Sequence, residues 1–382
     1  MNKEYVKVKN KKLLESMNDA LQQCIDCNIC NENCEMLQFF KTNPKKLFKS
    51  ILKEEKVKTI IPYSCTMCGK CKKVCPKDID TSRIFFNLRK DIVNQNKGKS
   101  PLKGHKSIHM HQKFSYTSFF TKYKNDINCN DKVEKLFFPG CSLCSYNPEL
   151  VVKTYEYLKT KIPNLGILLQ CCGKPTKDLG EEERFEKLSK TTYKDIKKTG
   201  TKEVIVACQN CYKTINGYSI NDDFKVKSLW NVLKEIGIPK EAIGIGNENE
   251  SIFTIHDSCP TRYESDIQDS IRFIVDKLGY KLVEKTNSRE NTVCCGTGGM
   301  VHTVNPKLSK NIMENIVESC PSKYVITYCA GCRESMIRGG AKGFHILDLI
   351  FGGKIKEDEL KFNVNTPLKS WSNRLKTKSL LK

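Results

Sequence analysis

The sequence predicts an α+β protein of several domains, in which an α-helical N-terminal domain is followed by a duplicated α/β domain. Three observations support this fold class. The chain has 382 residues, which is too long for one ordinary core. One cysteine motif occurs twice before residue 100, among segments of helical periodicity. A second cysteine pattern occurs twice between residues 136 and 352, about 120 residues apart, among short apolar runs.

Composition divides the chain into five segments. The second segment is polar and is predicted to be a loop-like linker, because Gly98, Gly104 and the pair Ser100-Pro101 interrupt any regular element there. The last segment is a lysine-rich tail. The predicted segments are the helical domain 1–100, the linker 101–135, the first repeat 136–245, the second repeat 246–352 and the basic tail 353–382.

Two helices are predicted in the first segment beside its cysteine loops. A short helix is expected at 44–52, with Pro44 in its first turn. A longer one is expected after Asp80, which can cap it. Apolar residues recur there at helical spacing, namely at Ile84, Phe85, Leu88 and Ile92. The segment is therefore predicted to alternate helices with cysteine loops.

The repeats alternate apolar runs with amphipathic stretches such as 183–198 and 306–319, which are predicted to be helices. The predicted buried strands are 136–138, 166–169, 204–206, 252–255 and 324–326. Most of the cysteines fall on loops that follow these strands. Open α/β sheets usually place their ligands at such strand ends, so we expect the cysteines to form binding sites there.

Cysteine content defines the chemistry of the chain, which has 21 cysteines. No run of eighteen apolar residues and no signal peptide are visible, so we expect a cytoplasmic protein. In a reducing compartment such a cysteine count indicates metal rather than disulfides. A disulfide framework would also not explain why the cysteines fall in tight, repeated clusters.

The formal net charge of +22 raises the question of nucleic-acid binding. Lys and Arg are spread along the whole chain rather than gathered in one basic arm, which makes nucleic acid an improbable partner. Thiolate-bound clusters are anionic and would offset part of the excess. We expect the remaining positive charge to favour docking of an acidic partner protein.

Four cysteines with the spacing C-x2-C-x2-C-x3-C occur twice, the second time followed by Pro76. This spacing is typical of two [4Fe–4S] cubane clusters, because three cysteines wrap one cluster and the fourth reaches the other. The predicted ligands are Cys24, Cys27, Cys30 and Cys75 for cubane 1, and Cys65, Cys68, Cys71 and Cys34 for cubane 2. Zinc is the alternative, but it needs only four ligands and usually spaces two C-x2-C pairs widely.

Glu35 follows the first motif at a place where bacterial ferredoxins carry proline. Together with the helix-rich segment between the motifs, this departure resembles the helical ferredoxin type found in respiratory iron–sulfur subunits.

Each repeat contains one cysteine after a strand, an adjacent cysteine pair followed by glycine, and a closing C-x2-C. The sets are Cys141, Cys171, Cys172, Cys208 and Cys211 in the first repeat, and Cys259, Cys294, Cys295, Cys329 and Cys332 in the second. Adjacent cysteines suit a multi-iron cluster because their side chains diverge, and the glycine lets backbone approach it. A vicinal disulfide would not explain the other three repeated cysteines.

Residues 136–340 resemble the catalytic subunit of heterodisulfide reductase and its CCG-domain relatives. Those relatives include the iron–sulfur subunits of glycolate oxidase, lactate utilisation and anaerobic glycerol-3-phosphate dehydrogenase. Cubane motifs ahead of two CCG domains look like the fused form of heterodisulfide reductase. The resemblance implies that each complete five-cysteine set (CCG site 1 and CCG site 2) holds a non-cubane [4Fe–4S] cluster, so one or two such clusters are expected. It also implies that disulfide substrates are split there. The gap before the cysteine pair is shorter in the first repeat, which departs from the pattern.

Three cysteines remain outside these sets. Cys129 and Cys320 are interpreted as ordinary thiols, whereas Cys144 competes with Cys141 for the first position of its set. Cys141 is preferred because it stands where Cys259 stands in the second repeat.

Histidines give weaker signals. His105, His109 and His111 cluster in the linker, where a solvated or cluster-packing loop is favoured over a metal site. His256 lies three residues before Cys259, and a structural hydrogen bond there competes with a role as proton donor in disulfide reduction.

The tail combines Trp371, Leu375, Leu380 and Leu381 with lysines. A frayed terminus is the simplest interpretation of this composition. The alternative is that the tail contacts a membrane surface or a partner.

No G-x-G-x-x-G follows a predicted strand, so we expect no flavin or nicotinamide site on this chain. Electrons must then be exchanged with a partner, either a flavin-containing dehydrogenase or another electron-donor subunit. Two hypotheses remain. In the first, the chain relays electrons through the cubanes to CCG sites that reduce a disulfide-type acceptor. In the second, it is a non-catalytic electron-transfer subunit of a flavin-dependent hydroxy-acid or glycerol-3-phosphate dehydrogenase.

Overall fold

A computed structural model describes residues 4–125, 133–217, 224–355 and 362–381. Within these ranges, no helix is both long enough and apolar enough to cross a membrane. Cys129 lies outside the described residues.

The N-terminal part is helical, as predicted. Its elements are β1 Tyr5–Lys7, α1 Lys11–Gln23, α2 Ile29–Glu32, α3 Glu35–Phe39, α4 Pro44–Glu54, β2 Lys56–Lys58, α5 Ile60–Ser64, α6 Lys70–Lys73 and α7 Thr81–Gln95. Side chains that cap backbone N–H groups start both predicted helices: Asn43 accepts from Lys46 at α4, and Asp80 accepts from Arg83 at α7. The antiparallel pair β1–β2 was not predicted.

The segment after α7 is not the loop that its composition predicts. It forms the helix α8 Lys106–Ser115 and the strand β3 Lys122–Lys124. Helix α8 buries Ile108, Gln112 and Ser115, which follow one another at four- and three-residue steps and so share one face. The prediction failed because two of these three buried residues are polar, so the buried face shows no apolar periodicity.

The first repeat forms a five-stranded sheet in the order β3-β5-β4-β6-β7, in which only β3 is antiparallel. Its elements after β3 are β4 Lys135–Phe138, α9 Cys141–Tyr146, α10 Pro148–Lys159, β5 Leu165–Leu169, α11 Lys174–Asp178, α12 Glu182–Lys198, β6 Glu203–Val206, α13 Gln209–Asn216, β7 Lys225–Ser228 and α14 Leu229–Ile236. The predicted strands and the helix at 183–198 are therefore confirmed.

The second repeat forms a parallel four-stranded sheet in the order β11-β10-β8-β9. Its elements are β8 Ile252–His256, α15 Ser265–Leu278, β9 Lys281–Leu282, α16 Pro306–Glu318, β10 Tyr324–Thr327, α17 Ala330–Arg338, β11 Lys342–His345 and α18 Ile346–Phe351. Both predicted strands and the helix at 306–319 are present.

One apolar core joins the two repeats. It contains Phe137 and Ile205 from the first sheet and Phe253 and Ile326 from the second, with Trp230 in the same cluster. Trp230 is fully buried and lies edge-on to Tyr328 of the second repeat. Because the sheets share this core, the loops at their strand ends are held at fixed positions relative to each other.

The tail is not a frayed terminus, since it forms the helix α19 Pro367–Leu380. Pro367 occupies its first turn and the Thr366 side chain caps it. Asn373 donates to the Ser145 carbonyl, and Thr377 donates to the Cys144 carbonyl on α9. These buried hydrogen bonds hold the helix on the first repeat, which the lysine-rich composition does not reveal.

Candidate iron–sulfur sites

The four cysteines predicted for cubane 1 lie together, three of them on the segment 24–30 after α1, here called the cubane 1 loop. Cys24, Cys27 and Cys75 lie close enough to Cys30 that burial and the neighbouring thiols raise the pKa of Cys30 to about 11. The same four cysteines line one cavity, together with Cys71 of the second motif. Cys27 is exposed at its rim, so this site reaches the molecular surface.

The four cysteines predicted for cubane 2 likewise lie together, three of them on the segment 65–71 after α5, here called the cubane 2 loop. Burial and the thiols of Cys65 and Cys68 raise the pKa of Cys34 to about 12. Burial, Cys65, Cys68 and Cys34 hold the pKa of Cys71 well above its usual value. Cys75 of the second motif thus lies beside the first three cysteines of the first motif, and Cys34 lies beside those of the second. The assignment of each set to one cluster stays a prediction.

Both cubane loops wrap in the same way. Asp26 and Asn28 in the first loop, and Met67 and Gly69 in the second, all have a positive φ of 58–72°. These residues stand two and four places after the first cysteine of their motif. Left-handed residues at alternate positions curl the chain around a centre. The equal places in both loops show that the two motifs share one fold.

CCG site 1 gathers the five cysteines of the first repeat. The Sγ atoms of Cys141 and Cys171 are 3.9 Å apart. Hydrogen bonds from the thiols of Cys171 and Cys211 lower the pKa of Cys172 to about 5. Cys208 hydrogen-bonds to Cys211, which completes the set. Gly140 has a φ of 80°, and a Cβ there would lie 3.1 Å from Cys211 Sγ.

CCG site 2 gathers the five cysteines of the second repeat in the same order. Cys294 contacts Cys259 and Cys295, and hydrogen bonds from Cys294 and Cys332 hold the pKa of Cys295 well below its usual value. Cys329 hydrogen-bonds to Cys332. Four of the five thiols are buried, and Cys259 is half-buried. Five converging thiols fit a multi-iron cluster better than a single metal ion, which takes four ligands.

The two CCG sites meet. The thiols of Cys208 and Cys329, the first cysteines of the two closing C-x2-C pairs, lie close enough that each shifts the pKa of the other. Both follow strands of parallel sheets, and the shared core brings those strand ends together. One cavity of about 910 Å³ is lined by nine of the ten CCG cysteines, Cys171 being the exception. Its other lining includes three carboxylates and six cationic side chains: Arg83, Lys174, Lys177, Lys213, Lys310 and Arg338.

The structure separates Cys141 from its competitor Cys144. Cys141 points to Cys171, whereas Cys144 is buried on α9, where its carbonyl accepts from Thr377. Burial raises the pKa of Cys144 to about 12. Cys320 donates to the Ile316 carbonyl and packs against the apolar cluster that contains four of the five cysteines, without belonging to the set.

Gln112 is a site residue that the sequence did not reveal. It is fully buried and donates through Nε2 to Cys171 Sγ at 3.4 Å. Its Oε1 accepts from Thr176 at 3.1 Å, so both ends of the amide are used. Gln112 lies in the segment predicted to be a loop, and the sequence carries no signal that would have connected it to Cys171.

His256 lies beside CCG site 2. Its ring nitrogen and the sulfurs of Cys295 and Cys332 are within 4.8 Å of one another. Lys285 is buried and places Nζ 3.1 Å from Nδ1 of His256. Burial and the Lys285 charge lower the pKa of His256. Donation from a Lys285 ammonium to Nδ1 would leave the Nε2–H of a neutral imidazole for the thiols.

The three histidines of the predicted linker do not converge on one site. His105 Nδ1 is 2.6 Å from Ser100 Oγ, and His109 Nε2 is 2.5 Å from the Glu181 carboxylate. His111 packs against the ring of Trp371. They are not in a solvated loop either, because helix α8 and the turn before it hold them at three separate contacts.

A junction connects the cubane 2 loop to both repeats. Arg89 is fully buried and donates to the carbonyls of Cys65, Asp178 and Gly299. Arg262 donates to the Cys68 carbonyl at 2.9 Å. These contacts place the cubane 2 loop, rather than the exposed cubane 1 loop, next to the CCG sites.

Comparison with known proteins identifies the family. The 4Fe-4S dicluster domain family matches residues 20–79, and the cysteine-rich CCG domain family matches residues 135–216 and 253–337. The chain belongs to the CCG-domain iron–sulfur proteins related to heterodisulfide reductase. It is an iron–sulfur electron-transfer protein of the oxidoreductase class, which confirms the function class predicted from the cysteine motifs.

Several curated relatives are similar over most of this chain. A subunit of the dihydromethanophenazine:CoB–CoM heterodisulfide reductase of Methanosarcina mazei is 24% identical, with 72% of each chain covered. An uncharacterised iron–sulfur protein of Methanococcus maripaludis is 25% identical over 86% of this chain and 72% of its own length. A subunit of the fumarate reductase (CoM/CoB) of Methanothermobacter marburgensis is 21% identical over 86% of this chain and 72% of its own length.

Proposed function

We propose that this CCG-domain protein reduces a disulfide in the cavity between its two CCG sites. The contact between Cys208 and Cys329 carries the proposal, because it puts both five-cysteine sets on one cavity. An acceptor bound there would face both sets at once. The named activities of two relatives, heterodisulfide reductase and fumarate reductase with CoM and CoB, are consistent with thiol–disulfide chemistry.

The cysteines define which groups hold which cofactor in this proposal. The two four-cysteine sets would hold [4Fe–4S] cubanes, and the two five-cysteine sets would hold non-cubane [4Fe–4S] clusters. When bound, such clusters supply one-electron carriers. The buried contacts of Arg89 and Arg262 hold the cubane 2 loop against the repeats. The cubane 1 loop lies at the surface, where Cys27 is exposed.

Reducing a disulfide breaks its S–S bond and consumes two electrons and two protons to give two thiols. The partner supplies the electrons. We assign His256 as the proton donor at CCG site 2: its neutral imidazole would give up the Nε2 proton while Nδ1 takes one from the Lys285 ammonium 3.1 Å away, so the ring stays neutral and Lys285 loses the proton. The cationic side chains of the cavity stabilise the negative charge that develops on the departing sulfur.

Electrons come from another protein in this proposal. Several relatives are named as components of reductases with more than one chain, which supports a partner here. We propose a flavin-containing dehydrogenase or electron-donor subunit that docks at the exposed edge of cubane 1, and a peripheral contact of the chain with a membrane surface.

The competing function is that of an electron-transfer subunit, which would carry electrons for a flavin dehydrogenase and bind no substrate itself. Substitution of Cys295 by serine separates the two functions. Anaerobically purified protein is supplied with a reduced viologen dye, which replaces the partner, and a panel of small disulfides. We expect the unaltered protein to release thiols, and Cys295→Ser to lose this activity because CCG site 2 lacks one of its thiolates.

Cys320→Ser is the matched control, since that thiol packs against CCG site 2 without belonging to the set, and it should keep most of the activity. The proposal is wrong if the unaltered protein, with clusters intact by its spectrum, reduces none of the disulfides but exchanges electrons only with a flavin dehydrogenase and its substrate. That outcome would establish the electron-transfer function instead.

A further inference from the structure

Two segments that are remote in sequence share an unusual composition. Residues 101–124 and 362–381 contain nine Lys and Arg residues and no Asp or Glu, although the chain as a whole has 43 Asp and Glu residues. A cation-only composition over both segments is not explained by the iron–sulfur sites, because neither segment contains a cysteine.

The two segments pack together through aromatic and polar contacts. The ring of Trp371 on α19 lies 6.1 Å from Phe114 on α8 and 4.6 Å from Phe120. Arg374 donates to Ser115 Oγ at 2.9 Å. They therefore form one continuous surface, which we call the α8–α19 surface.

This surface also concentrates exposed apolar side chains. Thirteen large apolar side chains are exposed in the described ranges of the chain, and seven of them lie on these two segments. The most exposed are Leu368 at 83% and Phe119 at 72%. The others are Met110, Phe114, Tyr123, Leu375 and Leu380. Isolated exposed apolar residues are ordinary, but their concentration on one surface indicates a binding role.

Helix α19 presents its apolar residues away from the protein. Its buried face carries Asn373, Arg374 and Thr377. Leu368 and Leu375 are seven residues apart and so share one face, and helical geometry puts that face opposite the buried one. Lys369 and Lys376 take the positions next to them. Leucines flanked by lysines on an outward face are typical of a helix that lies in a membrane interface.

Nearby carboxylates leave the surface cationic. Glu149 pairs with Lys376 at 3.0 Å, but both side chains are largely exposed, so the pair is weak. Glu181 is fully buried and is held by His109 and Arg184. Neither carboxylate neutralises the lysines at the two ends of α19, Lys369 and Lys378.

We propose that the α8–α19 surface rests on an anionic membrane. Its apolar side chains would enter the headgroup region, and its lysines would contact lipid phosphates. Protein interfaces deplete charge at their core and seat aromatic residues in pockets. Here exposed lysines flank the outward leucines of α19, which fits a lipid surface better. The inference deepens the membrane contact of the proposed function and is independent of the disulfide chemistry.

Vesicle sedimentation tests this surface with the full-length, cluster-loaded protein. We expect binding to vesicles of phosphatidylcholine mixed with phosphatidylglycerol, weaker binding to phosphatidylcholine alone, and release as salt screens the lysines. The double variant Phe119→Asn/Leu368→Asn should bind about tenfold more weakly, because it removes the two most exposed apolar side chains. Lys369→Gln should cost about fivefold on anionic vesicles only.

The matched control is Ile252→Asn, which removes a half-exposed apolar side chain outside this surface and should leave binding unchanged. Cluster absorbance of each variant shows that the fold is intact. Equal binding to both kinds of vesicle, or unchanged binding of the double variant, would overturn the proposal. A third contrary result would be that the unaltered protein binds no vesicles but co-purifies with another protein, and that the double variant does not. In that case a protein partner would occupy the surface. None of these results depends on whether the CCG sites reduce disulfides.

Discussion

Arg89 offers the sharpest test of how the cluster-bearing parts are joined. It is fully buried and donates four hydrogen bonds, to the carbonyls of Pro62, Cys65, Asp178 and Gly299. Those carbonyls belong to the N-terminal domain, the first repeat and the second repeat. Replacing Arg89 by methionine keeps most of the volume and removes every donor.

The expected loss follows from the contacts. Four bonds from a charged donor at about 1.5 kcal/mol each amount to about 6 kcal/mol. Methionine also removes the cost of burying a guanidinium, which offsets several kcal/mol, so we expect a net destabilisation of about 2–4 kcal/mol. The matched control is Lys90→Met, the next residue on α7. Its ion pair with Glu182 at 3.0 Å is half-exposed and should contribute about 0–1 kcal/mol.

Anaerobic urea titration, followed by tryptophan fluorescence and cluster absorbance, compares the two variants. We expect Arg89→Met to unfold at clearly lower urea than Lys90→Met. We also expect its CCG absorbance to be reduced more slowly when electrons enter through cubane 1. If the two variants unfold at the same urea concentration, Arg89 does not hold the junction and the reasoning is refuted.

Three further predictions concern the clusters themselves. A Cβ at Gly298 would lie 2.4 Å from the Thr66 carbonyl oxygen and 2.8 Å from Cys294 Sγ, so Gly298→Ala should alter the spectrum of CCG site 2. Gly331→Ala, whose Cβ would meet nothing nearer than 3.9 Å, should alter it less, and an equal change in both variants would contradict the close approach. Iron and sulfide analysis of the anaerobic protein should approach about four [4Fe–4S] equivalents per chain, and Cys71→Ser should lose one cubane signal while the CCG spectra persist. Zinc in place of iron would refute all the cluster assignments.

The cysteine sets could be predicted from the sequence because their spacing is a local property. A cubane loop needs three thiols close together along the chain, so Cys24, Cys27 and Cys30 are recognisable without a structure. The repeat of five cysteines after apolar runs likewise predicts strand-end sites. Helix starts were equally local, as the Asn43 and Asp80 caps show.

Polar helices were not predictable in the same way. Helix α8 buries Gln112 and Ser115 against polar partners, and α19 buries Asn373, Arg374 and Thr377. Their stability comes from hydrogen bonds to distant carbonyls and side chains, such as Thr377 to Cys144. A composition that looks like a loop or a frayed end carries no trace of those partners.

The sequence by itself determined the chemistry of this protein: which thiols form sets, that the sets suit iron–sulfur clusters, and that the second pattern is duplicated. Only the tertiary structure decided how the sets are arranged. It brought Cys208 to Cys329, set the cubane 2 loop against the repeats through Arg89, and joined α8 to α19 in one surface. The physical reason is that ligand spacing is encoded within a few residues. Contacts between strand ends that are far apart along the chain depend instead on a shared core that no local pattern records.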